Sequence, residues 1–311
     1  MSWIVEPWRA DPVALIWMMV MGALVASTCG VLGCWLNLRR NALMGDAISH
    51  AVLPGIVLAA LLMGRSHGPH VVIGALLAAL VCVALVHALY VSVRIREEAA
   101  IGIAFTTLFA VGVILISLFS RHIDLDADCV LHGELEYVPL EPLVQVAGVG
   151  LAPASVLLMG FVALLTLGGG WLFRKHLLLS SFDPGLAAST GIRPIAVHYA
   201  LMGMTALAAV SSFQAVGAIL VVAVFVVPGA TAMLLTRRLR TMLVICGLLG
   251  AVYAVAGVHV ALWWGVSTAA AMVVVAFVLF LAAWVLAPRY GLLASQVWDR
   301  RAVEPPVHPA A

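Results

Sequence analysis

Charged residues are scarce in this sequence. Of its 311 residues, 10% are Asp, Glu, Lys or Arg and 64% are hydrophobic, and the mean hydropathy is +1.16. A soluble globular domain carries about 25% charged residues, because its surface must face water. The scarcity excludes a soluble fold and predicts a polytopic membrane protein with lipid around most of its surface. The net charge of +2 gives no reason to expect a nucleic-acid partner.

Cysteines are few, and the familiar catalytic motifs are absent. Four of the five cysteines stand in apolar runs, and no CxxC spacing occurs among them, which favours small core residues over disulfides or a metal cluster. No stretch matches a P-loop, so the chain cannot hydrolyse ATP alone, and no HExxH motif supports a metalloprotease. We therefore expect a chain that is not an enzyme and holds no permanent cofactor.

Apolar segments of membrane-spanning length follow one another along almost the whole chain. A transmembrane helix needs about 20 apolar residues. Such segments lie at 13–38, 41–63, 70–93, 99–120, 148–173, 242–262 and 266–287, and a block at 195–235 is either two spans or a hairpin broken at 211–214. The sequence predicts an all-α transmembrane bundle of about eight or nine spans, with one domain over 1–290 and a tail over 291–311.

Basic residues mark alternate ends of these segments. They cluster at 39–40, 94–96, 174–175, 237–240 and 289–301, whereas the intervening ends are acidic or nearly uncharged. Short loops rich in Lys and Arg stay in the cytoplasm. The pattern predicts an outside N-terminus, an external loop over 121–147, and a cytoplasmic location for the segment 174–194 and the tail.

The second apolar segment contains an acidic residue and a histidine four positions apart. On a helix, Asp46 and His50 share one face, and ionisable groups at membrane depth usually face a cavity, a partner or an ion. A carboxylate and an imidazole together suit Mn²⁺, Fe²⁺ or Zn²⁺. The alternatives are an internal Asp–His hydrogen bond or an Asp46 helix cap near the interface. Pro54 and Gly55 should loosen the helix just beyond the pair.

Other polar side chains offer less specific patterns. Asp124, Asp126, Asp128 and Glu134 stand in the external loop, which is either an acidic mouth that attracts cations and receives an external partner or an ordinary solvated loop. Gln214 lies between two apolar stretches, where it either lines the pathway or hydrogen-bonds across helices.

The cytoplasmic segment 174–194 predicts a short helix. Asp183 is placed as the N-cap, Pro184 as the first helical residue and Gly191 as the terminator, with Phe182 exposed beside them. Such a helix is either a docking site for a cytoplasmic partner or a connector on the membrane surface.

Three stretches together resemble one family, the membrane permease subunits of ABC-type manganese/zinc/iron importers. They are NALMGDAISHAVLPG at 41–55, SFDPGLAASTG at 181–191, which is similar to the family's coupling helix, and VGAILVVAVFVVPGATA at 216–232. The resemblance implies a multi-pass protein of a bacterial cytoplasmic (inner) membrane that forms a homo- or heterodimer. It also implies two partners: cytoplasmic ABC ATPase subunits, and an extracytoplasmic solute-binding protein that delivers Mn²⁺, Zn²⁺ or Fe²⁺.

The resemblance also implies roles for particular residues. It makes Asp46 and His50 the metal ligands of an ATP-driven, alternating-access pathway. It assigns ATPase coupling to Phe182, Asp183, Pro184, Leu186 and Ala188. The rival hypothesis is a secondary metal-ion transporter driven by an ion gradient, with Asp46 as a proton relay and no need for an ATPase.

Overall fold

The computed structural model describes residues 11–64, 69–119, 135–146 and 149–287. Its helices are α1 (Pro12–Leu38), α2 (Leu43–Ala51), α3 (Leu53–Met63), α4 (Pro69–Ala88, extended by the π-helical Leu89–Val93), α5 (Glu97–Phe119), α6 (Ala154–Leu172), α7 (Arg174–Phe182), α8 (Pro184–Ser189), α9 (Pro194–Leu235), α10 (Leu239–Trp264) and α11 (Thr268–Leu286). In this part of the chain, eight segments are long and apolar enough to cross a membrane, and Ile219–Leu235 is a shorter apolar helix. The chain is therefore a multi-pass membrane protein, and its predicted helical-bundle class is confirmed.

Helix α1 forms the centre of the bundle. Its first turn is capped by the Asp11 side chain, whose Oδ1 accepts a hydrogen bond from the Ala14 amide at 3.0 Å, and Pro12 suits the first helical position. Val25, Cys29 and Leu36 are at most 1% exposed, and α1 packs along most of its length against α9 and α10. The end of the bundle where α1 stops, next to Arg39, is called the Arg39 end, and the opposite end, where Glu136 caps α11, is called the Glu136 end.

Helix α9 enters the bundle from the Arg39 end and returns to it. Within its first arm (Pro194–Phe213), Ser212 Oγ lies 3.5 Å from Cys29 Sγ, about two thirds of the way along α1. Near the end of its second arm (Ile219–Leu235), Ala232 instead packs with Cys34 and Met242, close to the last turn of α1. The structure thus supports the hairpin alternative for the 195–235 block.

The predicted position of the break in that hairpin is wrong. The helix continues through 211–214, and the interruption lies at Gly217, where φ is 73° and ψ is 169°. Residues with a Cβ are sterically excluded from this backbone region, so glycine permits the reversal there. The polar residues between Ser211 and Gln214 suggested a break, but all four residues of this stretch can adopt helical backbone angles and they remain in the helix.

At the Glu136 end, a β-hairpin precedes α6. Strand β1 (Leu143–Val146) pairs antiparallel with β2 (Val149–Pro153), and Leu143 lies opposite Pro153. The fifth predicted span, which began at 148, is therefore wrong at its start. Pro153 has extended backbone (ψ 146°) and is both the last residue of β2 and the N-cap of α6. Proline suits this position because it has no amide hydrogen to donate and is disfavoured in the helix interior.

Two glutamates attach this segment to the bundle. Glu136 Oε1 accepts hydrogen bonds from the Thr268 amide at 3.1 Å and from Thr268 Oγ1 at 3.2 Å, and so caps α11. Glu141 Oε2 accepts from the Ser155 amide at 3.0 Å in the first turn of α6. Both carboxylates satisfy amide groups that have no partner within their own helix.

Candidate functional site

Helix α2 holds Asp46 and His50 on its outer face. Its opposite face is buried and includes Gly45, Ile48 and Ser49. A Cβ on Gly45 would lie 2.9 Å from Cγ of Phe225, so α2 rests directly against the returning arm of α9. The glycine permits this close approach, and the two ionisable side chains on the other face of α2 point away from the core.

The two side chains lie together, as the four-residue spacing predicts. His50 Nε2 is 3.3 Å from Asp46 Oδ1, and each side chain is 30% exposed. On α5, the rings of Phe105 and Phe109 lie 6.2 and 5.7 Å from the His50 imidazole, between ring centroids. The pair therefore has an apolar wall on one side and an open face on the other. The 3.3 Å between His50 Nε2 and Asp46 Oδ1 is compatible with two side chains that bind the same metal ion and also with a direct Asp–His contact.

The described residues of one chain provide an incomplete metal site. No group of three or more His, Cys, Asp or Glu side chains that could hold an ion occurs in the described parts of the chain. Four ligands are usual for Zn²⁺, and Mn²⁺ takes about six. Two protein donors on an open face can contact an ion, and further ligands must come from outside the described residues, for example from water or another molecule.

The helix stops just after the pair. Helix α2 ends at Ala51, and α3 begins at Leu53 with Pro54 in its first turn. Proline has no amide hydrogen and its ring clashes with the preceding turn, so the helix is interrupted at Val52, although Val52 itself keeps helical φ/ψ angles (−73°, −20°). The predicted loosening around Pro54 and Gly55 is confirmed as this one-residue interruption, two residues beyond His50.

The predicted short helix at 183–191 is also present, as α8. Asp183 Oδ1 accepts a hydrogen bond from the Leu186 amide at 2.9 Å, Pro184 occupies the first turn, and Gly191 follows with φ 83°. Phe182 and Leu186 are 66% and 49% exposed, and Ala188 is exposed as well. An open groove of about 640 Å³ lies beside the helix and is lined by Ala188, Gly191, Ile192, Arg193, Pro194, Ile195 and Ala196.

Sequence reasoning missed Arg39, which it treated only as a topological marker. Arg39 Nε donates to Ser181 Oγ at 2.8 Å, and Nη2 donates to Ser180 Oγ at 2.6 Å and to the Leu177 carbonyl at 3.5 Å. Burial lowers the pKa of the guanidinium, and no carboxylate of the described residues pairs with it. These partners stand about 140 positions away in sequence, so no local pattern could have revealed them.

Several predicted residues lie outside what the structure describes. This applies to Asp124, Asp126, Asp128 and Glu134 of the external loop and to the tail at 291–311. Gln214 belongs to α9, three residues before Gly217, but its side chain is not among those described. Their proposed contribution to an outer mouth or pathway stays a prediction.

Comparison with known proteins places these features in context. The model of the ABC 3 transport family matches residues 13–287. The manganese transport system membrane protein MntD of Bacillus subtilis (strain 168) is 40% identical over 281 residues, 90% of this chain and 95% of that protein. The zinc transport system membrane protein TroD of Treponema pallidum (strain Nichols) is 37% identical over 277 residues, 88% and 74% of the two chains. Among solved structures, PsaBC from Streptococcus pneumoniae in complex with Fab matches with a TM-score of 0.77 and 29% identity, covering 94% of this chain and 98% of that chain.

Proposed function

Since the chain belongs to the ABC 3 transport family, we propose that it is the permease of an ATP-driven importer of Mn²⁺, Zn²⁺ or Fe²⁺. The family and the named relatives support the general statement, that the chain is a membrane subunit of a metal ABC transporter. The proposal adds the direction of transport, the energy source and the route of the ion. It also adds the location, the bacterial cytoplasmic (inner) membrane.

The observation that carries the proposed route is the Asp46–His50 pair. It stands on an open face of an otherwise apolar bundle, and no third His, Cys, Asp or Glu of the described residues joins its two donors. Ionisable groups in such surroundings are costly unless they contact an ion, a cavity or a partner. Two copies related by a two-fold axis would bring two carboxylates and two imidazoles around one ion. We therefore propose that the ion passes between two protomers, either identical or paralogous.

The energy would come from cytoplasmic partners, since the sequence contains no P-loop. Helix α8 presents the apolar side chains of Phe182 and Leu186, and the adjoining groove extends this surface. ATPase subunits would bind here, with Asp183 and Pro184 fixing the start of the helix and Ala188 facing the partner. A solute-binding protein would deliver the ion at the Glu136 end, and ATP-driven alternating access would release it at the Arg39 end.

Uptake into proteoliposomes tests this function. The vesicles contain the chain, its candidate ATPase and its candidate donor protein, and radioactive Mn²⁺ uptake is followed with and without internal ATP. Asp46→Ala and His50→Ala should each reduce ATP-dependent uptake by about tenfold or more, since each removes a ligand. The matched control is His259→Ala on α10, whose Nδ1 lies 2.7 Å from its own helix's Val255 carbonyl.

The outcomes separate the function from its site. Copurification of the ATPase with each variant shows that assembly is intact. ATP-dependent uptake that survives both substitutions would keep the importer and discard the site. Uptake by the wild-type chain without any ATPase would contradict the ABC mechanism and favour the gradient-driven transporter, in which Asp46 relays protons.

A further inference from the structure

We propose that Arg39 is the positioning residue that links the ATPase-coupling helix to the metal-binding helix. The inference rests on the proposed function and deepens it, because it identifies how movement at α8 reaches Asp46 and His50. In this role Arg39 needs no contact of its own with the ion or the ATPase. It acts through α2 and α8, the helices proposed to contact them.

On one side, Arg39 holds the helix that leads directly into α8. Its guanidinium bonds to Ser180 and Ser181 in the last turn of α7, and one residue, Asp183, separates α7 from α8. The two serine hydroxyls donate their own hydrogens to the Leu177 carbonyl. Their remaining lone pairs therefore point at Arg39, and the guanidinium completes the network.

On the other side, Arg39 is part of the short turn that starts α2. It is the C-cap of α1, and Arg40 follows in the left-handed region with φ 63°. Asn41 is 7% exposed, its amide donates to the Leu36 carbonyl at 2.9 Å, and its carbonyl accepts from the Met44 amide at 3.1 Å. The turn is therefore bonded at both ends, and a pull on Arg39 is transmitted to the first turn of α2, which contains Asp46.

The chemistry of arginine suits a rigid link. The planar guanidinium carries its N–H groups in a fixed fork, and here two of them bond to two different serines at the same time. Because the group is partly buried and has no carboxylate partner among the described residues, releasing the serines would leave a desolvated charge without its acceptors. We expect α7 and the 39–42 turn to move together rather than slide past one another.

The test measures coupling, which a purely structural role would not change. ATP hydrolysis and Mn²⁺ uptake are recorded in the same proteoliposomes, with the ATPase and donor protein present, and expressed as ATP hydrolysed per ion. Arg39→Lys keeps the charge but loses the fork, and the combined Ser180→Ala and Ser181→Ala variant removes both acceptors. Each should raise the ratio about tenfold, within the range by which linking residues alter coupling. Arg40→Ala, at the exposed neighbouring position, should leave it unchanged.

Joining all three substitutions should raise the ratio no further than either variant alone, because they break one link. Where Arg39→Lys fails to assemble with the ATPase, the serine variant decides. If the variants hydrolyse as much ATP per ion as the wild type, even with slower hydrolysis and slower uptake, the role of Arg39 is wrong and the proposed function still stands. A wild-type complex without ATP-dependent uptake would overturn the proposed function, and this inference with it.

Discussion

At the scale of single residues, one glycine sets how closely the two central helices approach. A Cβ on Gly33 of α1 would overlap the carbonyl oxygen of Phe225 on α9. The overlapped atom belongs to the backbone, so no rotamer change could relieve the contact. Phe225 also packs on Gly45 of α2, which means that displacing it would disturb the helix bearing Asp46 and His50.

We predict that Gly33→Ala lowers stability. Overpacking of a tight core costs about 1–3 kcal/mol, and the thermal unfolding midpoint of the purified protein in detergent should fall accordingly. Gly160→Ala is the matched control, since a Cβ at Gly160 of α6 would meet nothing within 4 Å. Equal unfolding midpoints for Gly33→Ala and Gly160→Ala would contradict the prediction, because they would mean that α1 and α9 can move apart without loss of stability.

At the scale of elements, the sequence predicts best what depends on neighbours along the chain. Hydropathy located the spans, and the pattern around Asp183 located α8 with its cap and terminator. Gly217 could not be found in this way, because it is one of 27 glycines and only the tertiary fold gives it a φ of 73°. The strand at Val149–Pro153 was missed because its apolar residues read as the start of a span. The Asp46–His50 contact was predictable from helical spacing, whereas the Arg39 bonds join residues far apart in sequence.

The hairpin of α9 gives a prediction at this scale. Gly217→Ala should destabilise the protein by about 1–3 kcal/mol, since its φ/ψ region is nearly closed to other residues. Gly203→Ala lies in the first arm of the same helix, where a Cβ would meet nothing within 4 Å, and should be tolerated. Thermal unfolding and ATPase copurification report both effects. A Gly217→Ala protein as stable as Gly203→Ala would mean that the reversal does not depend on glycine.

At the scale of the whole molecule, the two ends of the bundle carry different parts of the proposed cycle. The Glu136 end has the β-hairpin and the two capping carboxylates. The Arg39 end has α8, the proposed coupling helix, and the turn that leads to Asp46 and His50, the proposed metal ligands. Because α6 alone connects the β-hairpin to α7, these two ends should lie on opposite sides of the membrane, with the basic Arg39 end in the cytoplasm.

Labelling of single cysteines by a membrane-impermeant maleimide tests this orientation. Cys29, Cys34, Cys82 and Cys246 are buried, so a Cys129→Ser background should show little reaction. Tyr137 is 63% exposed at the Glu136 end, and His176 is exposed on α7. Tyr137→Cys should react in intact cells, and His176→Cys only after the membrane is permeabilised. The reverse result would invert the protein and place α8 outside, beyond the reach of any ATPase. Reaction of both in intact cells would mean that α6 does not cross the membrane.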